Sequence, residues 1–226
     1  MSDSGDRRAL VIAIVGAESS GKTTLAHALQ ARLADEGVPA TAVGEVLREF
    51  CDRRRRTPRR DEQAVIAAEQ SRRIEAAALA GHAAVVADTT ALMTAIYSEL
   101  VFGDTSLYKV AEAAHRRCDI TLVTALDLPW QADGLQRDGA HVREPVDRLL
   151  RAALQRMALP FAVVSGHGAA RLDAAWRAVR RAFGPAPADA GRGAADDAAP
   201  APRWHCERCG DAACERHLLL TPLLRR

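Results

Sequence analysis

Lysine is almost absent from this sequence of 226 residues. Of its 31 basic residues only Lys22 and Lys109 are lysines, and all the others are arginines. Because the two side chains are not interchangeable where a compact charge must fit, a retained lysine is a candidate for a chemical role. The formal net charge is only +2, so charge alone predicts neither a nucleic acid nor an anionic membrane as partner.

Long hydrophobic runs, cysteines and aromatic residues are also scarce. No run of about 18 apolar residues occurs, so we predict no membrane-spanning helix, and five cysteines are too few for a disulfide scaffold. The apolar residues 10–15 follow two arginines as in a signal peptide, but the glycine-rich motif after them gives a better explanation. We therefore expect a cytoplasmic protein. Hydrophobic residues make up 48% of the chain, enough for a sizeable core.

Apolar segments of strand length alternate with helical segments between residues 10 and 181. Five buried strands separated by helices predict an α/β fold, with a mainly parallel five-stranded sheet and helices on both faces. The predicted strands are 10–15, 39–43, 83–87, 120–126 and 161–164, and the predicted helices are 24–36, 61–80, 92–101, 107–118, 146–157 and 170–183.

The C-terminal part of the sequence has a different composition. Residues 184–202 are dominated by Ala, Gly, Pro and Asp, which cannot build a core and are typical of a linker. A short cysteine-rich segment follows. We therefore predict a main domain at 1–183, a linker at 184–202 and a small tail at 203–226.

A phosphate-binding loop is predicted where the first strand meets the first helix. Gly16-Ala-Glu-Ser-Ser-Gly21-Lys22-Thr23 matches the spacing G-x-x-x-x-G-K-[ST] in full. Glycines let backbone N–H groups converge on phosphate oxygens, and the helix N-terminus adds partial positive charge. A chance glycine-rich turn is the alternative, but strand, loop and helix are in register. The predicted nucleotide-binding residues are Gly16, Glu18, Ser19, Ser20, Gly21, Lys22, Thr23 and Thr24.

This motif predicts the three-layer sandwich of P-loop NTPases, with ATP and Mg²⁺ as ligands. Lys22 is expected to contact the β- and γ-phosphates, and the Thr23 hydroxyl to bind Mg²⁺. Asp88 ends the third strand at the sheet edge where doubly wound folds bind ligands, so we expect it to organise Mg²⁺ or its water shell. Its alternative role is the N-cap of the next helix, although either of the two threonines after it can provide that cap.

Glu45 and Arg48 follow the second strand. A carboxylate there can orient or deprotonate a substrate hydroxyl, and an arginine can bind a phosphate. Residues three apart on a helical turn are, however, usually a solvated ion pair. The spacing alone therefore leaves their role open.

Four ordered motifs resemble the ribosylnicotinamide kinase domain of the bacterial NAD-metabolism regulator NadR. They are the loop at 16–25, Glu45-x-x-Arg48-Glu49-Phe50, Ala87-Asp88-Thr89 and the segment Leu128-Pro-Trp-Gln-Ala-Asp-Gly-Leu-Gln-Arg137. The resemblance covers about residues 10–183. It implies a kinase that transfers the γ-phosphate of ATP to the 5′-hydroxyl of a small nucleoside such as nicotinamide riboside. On this hypothesis the catalytic residues are Lys22, Glu45, Asp88 and Arg137, and the substrate contacts are Glu45, Arg48, Asp88 and Trp130.

The sequence also departs from that family. Val46 stands where the family has tyrosine, and nine residues precede the first strand, so we expect the preceding adenylyltransferase domain of NadR to be missing. Whether Glu45 or Asp88 is the base stays open, as does the nucleoside, since another (deoxy)nucleoside is an alternative. An alternative of another class is a nucleotide-dependent regulatory ATPase or sensor.

The polar residues 131–143 are placed to form a lid over the phosphates. Arg137 is the first candidate to neutralise their charge and Arg143 the second. Trp130 can stack on a flat base or a nicotinamide ring, or it can simply fill the end of the sheet against the next helix. Residues 165–168 are expected to border the adenine, on topology alone.

The arginine-rich stretch 53–60 can bind a nucleic acid or a phosphorylated ligand. It contains no aromatic residue on which single-stranded bases could stack. We therefore favour a solvated, flexible loop and regard a nucleic-acid partner as disfavoured.

Three cysteines and a histidine crowd the C-terminal tail. Cys206, Cys209, Cys214 and His217 have short spacings suited to one tetrahedral Zn²⁺, and His205 is a rival for the fourth position. Three thiols without metal, or a redox pair, are the alternatives. We expect a structural zinc site, because a tail of this length has little core of its own, and such a module is a candidate to bind a partner protein.

Overall fold

A computed structural model describes residues 8–131 and 139–183 of the chain. Its five strands form one sheet in the order β2-β3-β1-β4-β5, and every neighbouring pair is parallel. The predicted α/β sandwich is therefore confirmed. The strands are β1 (Leu10–Val15), β2 (Ala40–Val43), β3 (Ala84–Asp88), β4 (Ile120–Thr124) and β5 (Ala162–Val164).

Seven α-helices connect or flank these strands in the described part of the chain. Single 3₁₀ turns precede two of them and follow the last, at Arg60–Glu62, Ala140–Val142 and Arg181–Phe183. The helices are α1 (Lys22–Asp35), α2 (Val46–Arg54), α3 (Gln63–Ala78), α4 (Ala91–Phe102), α5 (Tyr108–His115), α6 (Arg143–Arg156) and α7 (Gly168–Arg180).

The two faces of the sheet bury separate hydrophobic clusters. Successive side chains of a strand point to opposite faces. On β1, Ile12 and Ile14 therefore pack with α1 and α7, whereas Val11 and Val15 pack on the face covered by α3, α4 and α6. All four are at most 2% exposed. Both faces are covered, so the central strand reads as one continuous apolar run.

The largest departure from the predicted elements is α2, which the sequence pattern did not indicate. This helix buries only Val46 and Cys51, so it lacks the apolar periodicity by which a helix is recognised. Its last two residues, Arg53 and Arg54, belong to the stretch that we expected to be a flexible loop, and that expectation is wrong for them. Arg55, at φ 57°, ends the helix in the left-handed conformation.

No helix in residues 8–131 and 139–183 is both long and apolar enough to cross a membrane. The predicted linker at 184–202 and tail at 203–226 lie outside the described residues, as do residues 132–138 of the predicted lid. What the sequence implies about these segments stays a prediction.

The buried face of α6 is a test of this core. Leu150 is completely buried, and removing its side chain leaves a cavity, so Leu150→Ala should lower the free energy of unfolding by about 2–5 kcal/mol. The matched control Leu79→Ala removes a side chain that is 70% exposed and should change it by less than about 0.5 kcal/mol. Urea denaturation of both variants measures the difference, and equal losses would contradict the core assignment.

Candidate active site

The predicted phosphate-binding loop connects β1 to α1 and is closed by buried hydrogen bonds. Ser20 Oγ donates to the carbonyl of Ala17 at 2.6 Å and lies 2.6 Å from Thr124 Oγ1 at the end of β4. Thr124 Oγ1 also lies 3.3 Å from the carbonyl of Val15, so either hydroxyl can donate in the contact between them. Lys22 Nζ donates to the same Ala17 carbonyl at 2.9 Å. The loop therefore holds its lysine in place from within.

Two glycines of the loop are required by close contacts with its surroundings. A Cβ atom at Gly16 would lie 2.0 Å from Thr124 Oγ1, and one at Gly21 would lie 2.9 Å from Cδ1 of Leu128. Gly21 also has φ 77°, in the left-handed region that residues with a side chain rarely adopt. Gly16 is therefore fixed by steric exclusion, and Gly21 is fixed mainly by its left-handed backbone conformation.

Asp88 lies where the sequence placed it, at the carboxyl end of β3 beside α1. Thr23 Oγ1 donates to Asp88 Oδ2 at 2.6 Å, whereas Oδ1 is buried and has no hydrogen-bond partner among the described residues. The alternative role as a helix cap is wrong, because Thr90 caps α4 by accepting a hydrogen bond from the N–H of Leu92 at 3.3 Å. A hydroxyl and an unsatisfied carboxylate oxygen are ligands of the kind that Mg²⁺ takes.

A strained residue follows Asp88. Thr89 has φ 77°, which is unusual for a β-branched residue, and its N–H donates to the carbonyl of Ile14 at 3.0 Å. Such strain is found where surrounding structure enforces it, often at functional sites. Here the turn brings the Thr89 side chain to the wall of a cavity.

His115 holds the turn after Asp88 in place through a contact with Thr90. The sequence analysis did not identify this residue. Its two ring nitrogens lie 2.9 Å from Thr90 Oγ1 and 3.0 Å from Thr121 Oγ1. The side chain is 1% exposed, and this burial lowers its pKa to about 4. At neutral pH His115 is therefore an uncharged link between the N-cap of α4, helix α5 and strand β4.

A cavity of about 360 Å³ opens between the loop, α2 and α4. Its polar lining includes Lys22 and Glu18 from the loop and Glu45 and Arg48 from the start of α2. Its apolar lining includes Leu47, Met93, Tyr97 and Phe102. A volume and a mixed lining of this kind suit a small, partly apolar molecule with a few fixed polar groups.

A second, larger cavity of about 690 Å³ lies on the other side of the loop. It is lined by loop and α1 residues from Ser19 to Thr24, and by Leu128 and His167 from the neighbouring loops. Ser19, Lys22 and Arg48 line both cavities. The two spaces therefore meet at two positive side chains.

Glu45 and Arg48 form part of this junction. The carboxylate and Arg48 Nε are 3.7 Å apart, and the Glu45 side chain is only 14% exposed. The expected alternative of a solvated surface pair therefore does not describe Glu45, which lines the smaller cavity. Cys51, one turn further along α2, also lines it, and burial raises the pKa of its thiol to about 11.

Arg171 supports the loop from α7, and nothing in the sequence distinguished it from the other arginines. It is 5% exposed, and its Nη2 donates to the Ser20 carbonyl at 2.7 Å. Nη1 donates to Asp127 Oδ1 at 2.8 Å and to the Gly166 carbonyl at 2.9 Å. One guanidinium thus joins the phosphate-binding loop to the loops after β4 and β5.

Several other predicted residues lie outside these cavities. Arg143 is 8% exposed and donates from Nη1 to the Leu128 carbonyl at 2.9 Å. Trp130 is half-buried, and neither residue is among the described residues that line the two cavities. Of the segment 165–168, His167 borders the larger cavity. Arg137 is not among the described residues.

The zinc prediction concerns the part of the chain that the structure does not describe. Within residues 8–131 and 139–183 no group of three or more His, Cys, Asp or Glu side chains is arranged to hold a metal ion. Cys206, Cys209, Cys214 and His217 lie beyond that range. Their zinc site stays a prediction.

After α2 the arginine-rich stretch continues at 55–59 as a largely exposed loop, and part of it borders the smaller cavity. Arg56 forms two hydrogen bonds of 2.7 Å with the carboxylate of Glu62 and lies over the ring of Phe50. Arg59 and Arg60 line the smaller cavity. Paired charges and an aromatic contact explain why so basic a stretch is ordered here.

Comparison with known protein families agrees with this architecture. Residues 11–171, well over half of the chain, match the family described as AAA domain. The chain belongs to this AAA-domain family. No curated protein matches the sequence of this chain significantly.

Solved structures with the same fold include two of the NadR protein. The one in complex with NR has a TM-score of 0.65 at 20% identity, covering 79% of this chain and 52% of that one. The one in complex with NAD and AMP-PNP has a TM-score of 0.59 at 17% identity, covering 76% and 50%. Our AAA-domain chain thus spans about half the length of both NadR chains. The predicted similarity to NadR is confirmed at the level of the fold.

Thymidylate kinase from Ehrlichia chaffeensis shares the fold as well. Its structure has a TM-score of 0.54 at 16% identity, covering 78% of the AAA-domain chain and 99% of the kinase. At these identities the comparisons establish the fold and not the roles of individual residues.

The contact between Gly16 and Thr124 makes the loop testable. Gly16→Ala places a Cβ atom 2.0 Å from Thr124 Oγ1, so the loop must shift, and we expect at least tenfold weaker binding of ATP. Gly44→Ala is the matched control, because a Cβ atom there meets nothing within 4 Å. Titration with a fluorescent ATP analogue measures both affinities, and equal affinities would contradict the assigned loop.

His115 predicts a pH-dependent stability. Its pKa is near 6.5 in the unfolded chain and about 4 in the folded one, so the unfolded state binds the extra proton first as the pH falls. Stability should drop by roughly 2 kcal/mol between pH 7 and pH 5. His115→Gln, which keeps a donor and an acceptor but does not titrate, should flatten this drop.

Urea denaturation at several pH values gives the slope. The carboxylates with pKa values lowered to about 2, those of Glu62, Glu69 and Asp104, titrate below this window and do not interfere. An unchanged slope in His115→Gln would show that another group is responsible.

Proposed function

We propose that this AAA domain is an ATP- and Mg²⁺-dependent kinase of small nucleosides, with nicotinamide riboside as the acceptor and nicotinamide mononucleotide as the product. The observation that carries this proposal is the junction of two cavities at Lys22 and Arg48. A phosphoryl group moving from a donor in one cavity to an acceptor in the other would pass both cations. An ATPase without an acceptor has no need of the smaller cavity.

The larger cavity suits the triphosphate of ATP. The backbone N–H groups of the loop and the N-terminus of α1 face the phosphates, and Lys22 adds a compact positive charge. Arg171 holds the Ser20 carbonyl and with it the curvature of the loop. Such preorganised charge is the main means by which phosphoryl transfer is accelerated.

Thr23 and Asp88 are the residues that would hold Mg²⁺. The fit is supported by the unsatisfied Asp88 Oδ1, a buried carboxylate oxygen next to the Thr23 hydroxyl. When bound, Mg²⁺ supplies neutralising charge to the phosphate oxygens.

Glu45 is the residue that we assign to the acceptor hydroxyl. Glu45 lines the smaller cavity, whereas Asp88 is hydrogen-bonded to Thr23 and is not among that cavity's described lining residues. As the hydroxyl oxygen bonds to the γ-phosphorus and the bond to the ADP oxygen breaks, the hydroxyl proton passes to Glu45. Arg48, 3.7 Å from that carboxylate, is placed to neutralise charge on the transferred group.

The choice of nucleoside rests on the four sequence motifs shared with the NadR kinase domain. The fold comparisons agree with a kinase of nucleosides or nucleotides, because the similar structures are NadR proteins, one of them with NR bound, and a thymidylate kinase. The smaller cavity, of about 360 Å³ with partly apolar walls, accommodates a ring and a ribose.

The two lysines offer a matched test. Lys22→Arg replaces a compact ammonium inside the loop by a larger planar group, and kcat/KM should fall by about 10²–10³-fold. Lys109→Arg changes an exposed residue of α5 and should have no effect. Mass spectrometry of a nucleoside panel that includes nicotinamide riboside, incubated with ATP and Mg²⁺, measures product formation by both variants.

Two results would count against the proposal. Release of phosphate from ATP with no phosphorylated nucleoside anywhere in the panel would favour the regulatory ATPase instead. Full activity of Lys22→Arg would overturn the assigned mechanism even if the enzyme is a kinase.

A further inference from the structure

The smaller cavity contains a buried amide to which the fold gives no partner. Gln63 is the first residue of α3, is 5% exposed and lines the cavity. Its Oε1 is buried without a hydrogen-bond partner, and its amide makes no hydrogen bond to any residue in the described part of the chain. An amide removed from water without a partner is costly, so a group at this position calls for a ligand.

Gln70, two turns further along the same helix, is a buried amide with a structural role and serves as a comparison. It is 1% exposed, its Oε1 accepts from the Val46 N–H at 2.8 Å, and its Nε2 donates to the Gly44 carbonyl at 3.2 Å. Both ends of that amide are satisfied. Gln63, unlike Gln70, lines the smaller cavity and has an unsatisfied amide oxygen.

A second polar group of the same cavity is also unsatisfied. Thr89 Oγ1 is buried and has no partner among the described residues, and Thr89 is held at φ 77°. The surrounding wall is apolar or aromatic, as at Met93 and Tyr97. Two polar groups beside apolar and aromatic side chains are the arrangement by which binding sites orient a ring.

We propose that Gln63 selects the acceptor by binding a group that presents a hydrogen-bond donor and an acceptor side by side. A carboxamide on a planar ring and a ring lactam share this chemistry, and both complement the C=O and NH₂ of the glutamine amide. This inference rests on the proposed kinase function and adds the ring chemistry that the site requires. A carboxylate in the same position offers no donor to Oε1.

The positive charges near the cavity do not oppose this choice. Arg60, an exposed residue of the wall, is paired with Asp104 at 3.0 Å, and Arg59 is exposed. Arg48 is 3.7 Å from the Glu45 carboxylate and also lines the larger cavity. A neutral amide is therefore the recognition element next to the ring.

Matched pairs of nucleosides test the proposal by kcat/KM of the full chain. One pair is nicotinamide riboside and the pyridinium riboside without the carboxamide, which carry the same charge; nicotinic acid riboside, with a carboxylate, is added. The other pair is uridine and pyrimidin-2-one riboside, which lacks the lactam N–H. The wild-type protein should prefer the amide-bearing member of the accepted pair at least tenfold, since a site built for hydrogen bonding rejects analogues without them.

The variants separate recognition from folding. Gln63→Leu should reduce that preference to within about threefold while the amide-free analogue is still phosphorylated, and Gln63→Glu, which removes the NH₂ donors, should reduce it as well. Gln155→Leu, an exposed residue of α6, should leave it unchanged. Without ligand, Gln63→Leu should melt no lower than the wild type, whereas Gln70→Leu should melt several degrees lower.

The outcomes are distinguishable. Phosphorylation with the same preference in Gln63→Leu, or a wild-type preference for the carboxylate or the unsubstituted ring, overturns the role of Gln63 and leaves the kinase intact. No phosphorylation of any nucleoside overturns the proposed function and this inference with it.

Discussion

The carbonyl oxygen of Ala17 accepts hydrogen bonds from both Ser20 Oγ and Lys22 Nζ, and the rest of the site is arranged around this turn of backbone. Only a loop curled this tightly brings Gly16 against Thr124. A lysine serves here because one compact ammonium, with three N–H donors, can hold the loop and contact a phosphate at once. A planar guanidinium cannot, which explains a retained lysine in a chain that otherwise uses arginine.

A single side chain likewise positions Glu45, the residue assigned to the acceptor hydroxyl. Gln70 holds the backbone on both sides of Glu45, by bonding to Gly44 and to Val46. The Glu45 carboxylate is thereby set at the start of α2 without a cap hydrogen bond of its own. A carboxylate that orients a hydroxyl has to be held in place without serving as a helix cap. The hydrogen bonds from Gln70 of α3 to the backbone on either side of Glu45 meet both conditions.

How much of this could be predicted from the sequence depends on the range of each interaction. Strand β1, the loop and Asp88 follow from local patterns, because buried parallel strands and G-x-x-x-x-G-K-[ST] spacing are properties of neighbouring residues. The helix α2 was missed because it buries only two side chains. Arg171 and Gln63 are defined by contacts, or by missing contacts, with distant segments, and no local pattern marks them.

The unsatisfied groups of the smaller cavity also bear on the stability of the protein. A buried amide without a partner costs about 1–3 kcal/mol, and a β-branched residue at positive φ costs a similar amount, so Gln63 and Thr89 together destabilise the ligand-free fold. Marginally stable domains retain such groups where they serve function. A ligand that satisfies them stabilises the folded state in proportion to the logarithm of its concentration. The unsatisfied groups that destabilise the empty site are therefore the same groups that make the filled site selective. A ring without a matching donor and acceptor leaves both Gln63 and Thr89 without hydrogen-bond partners.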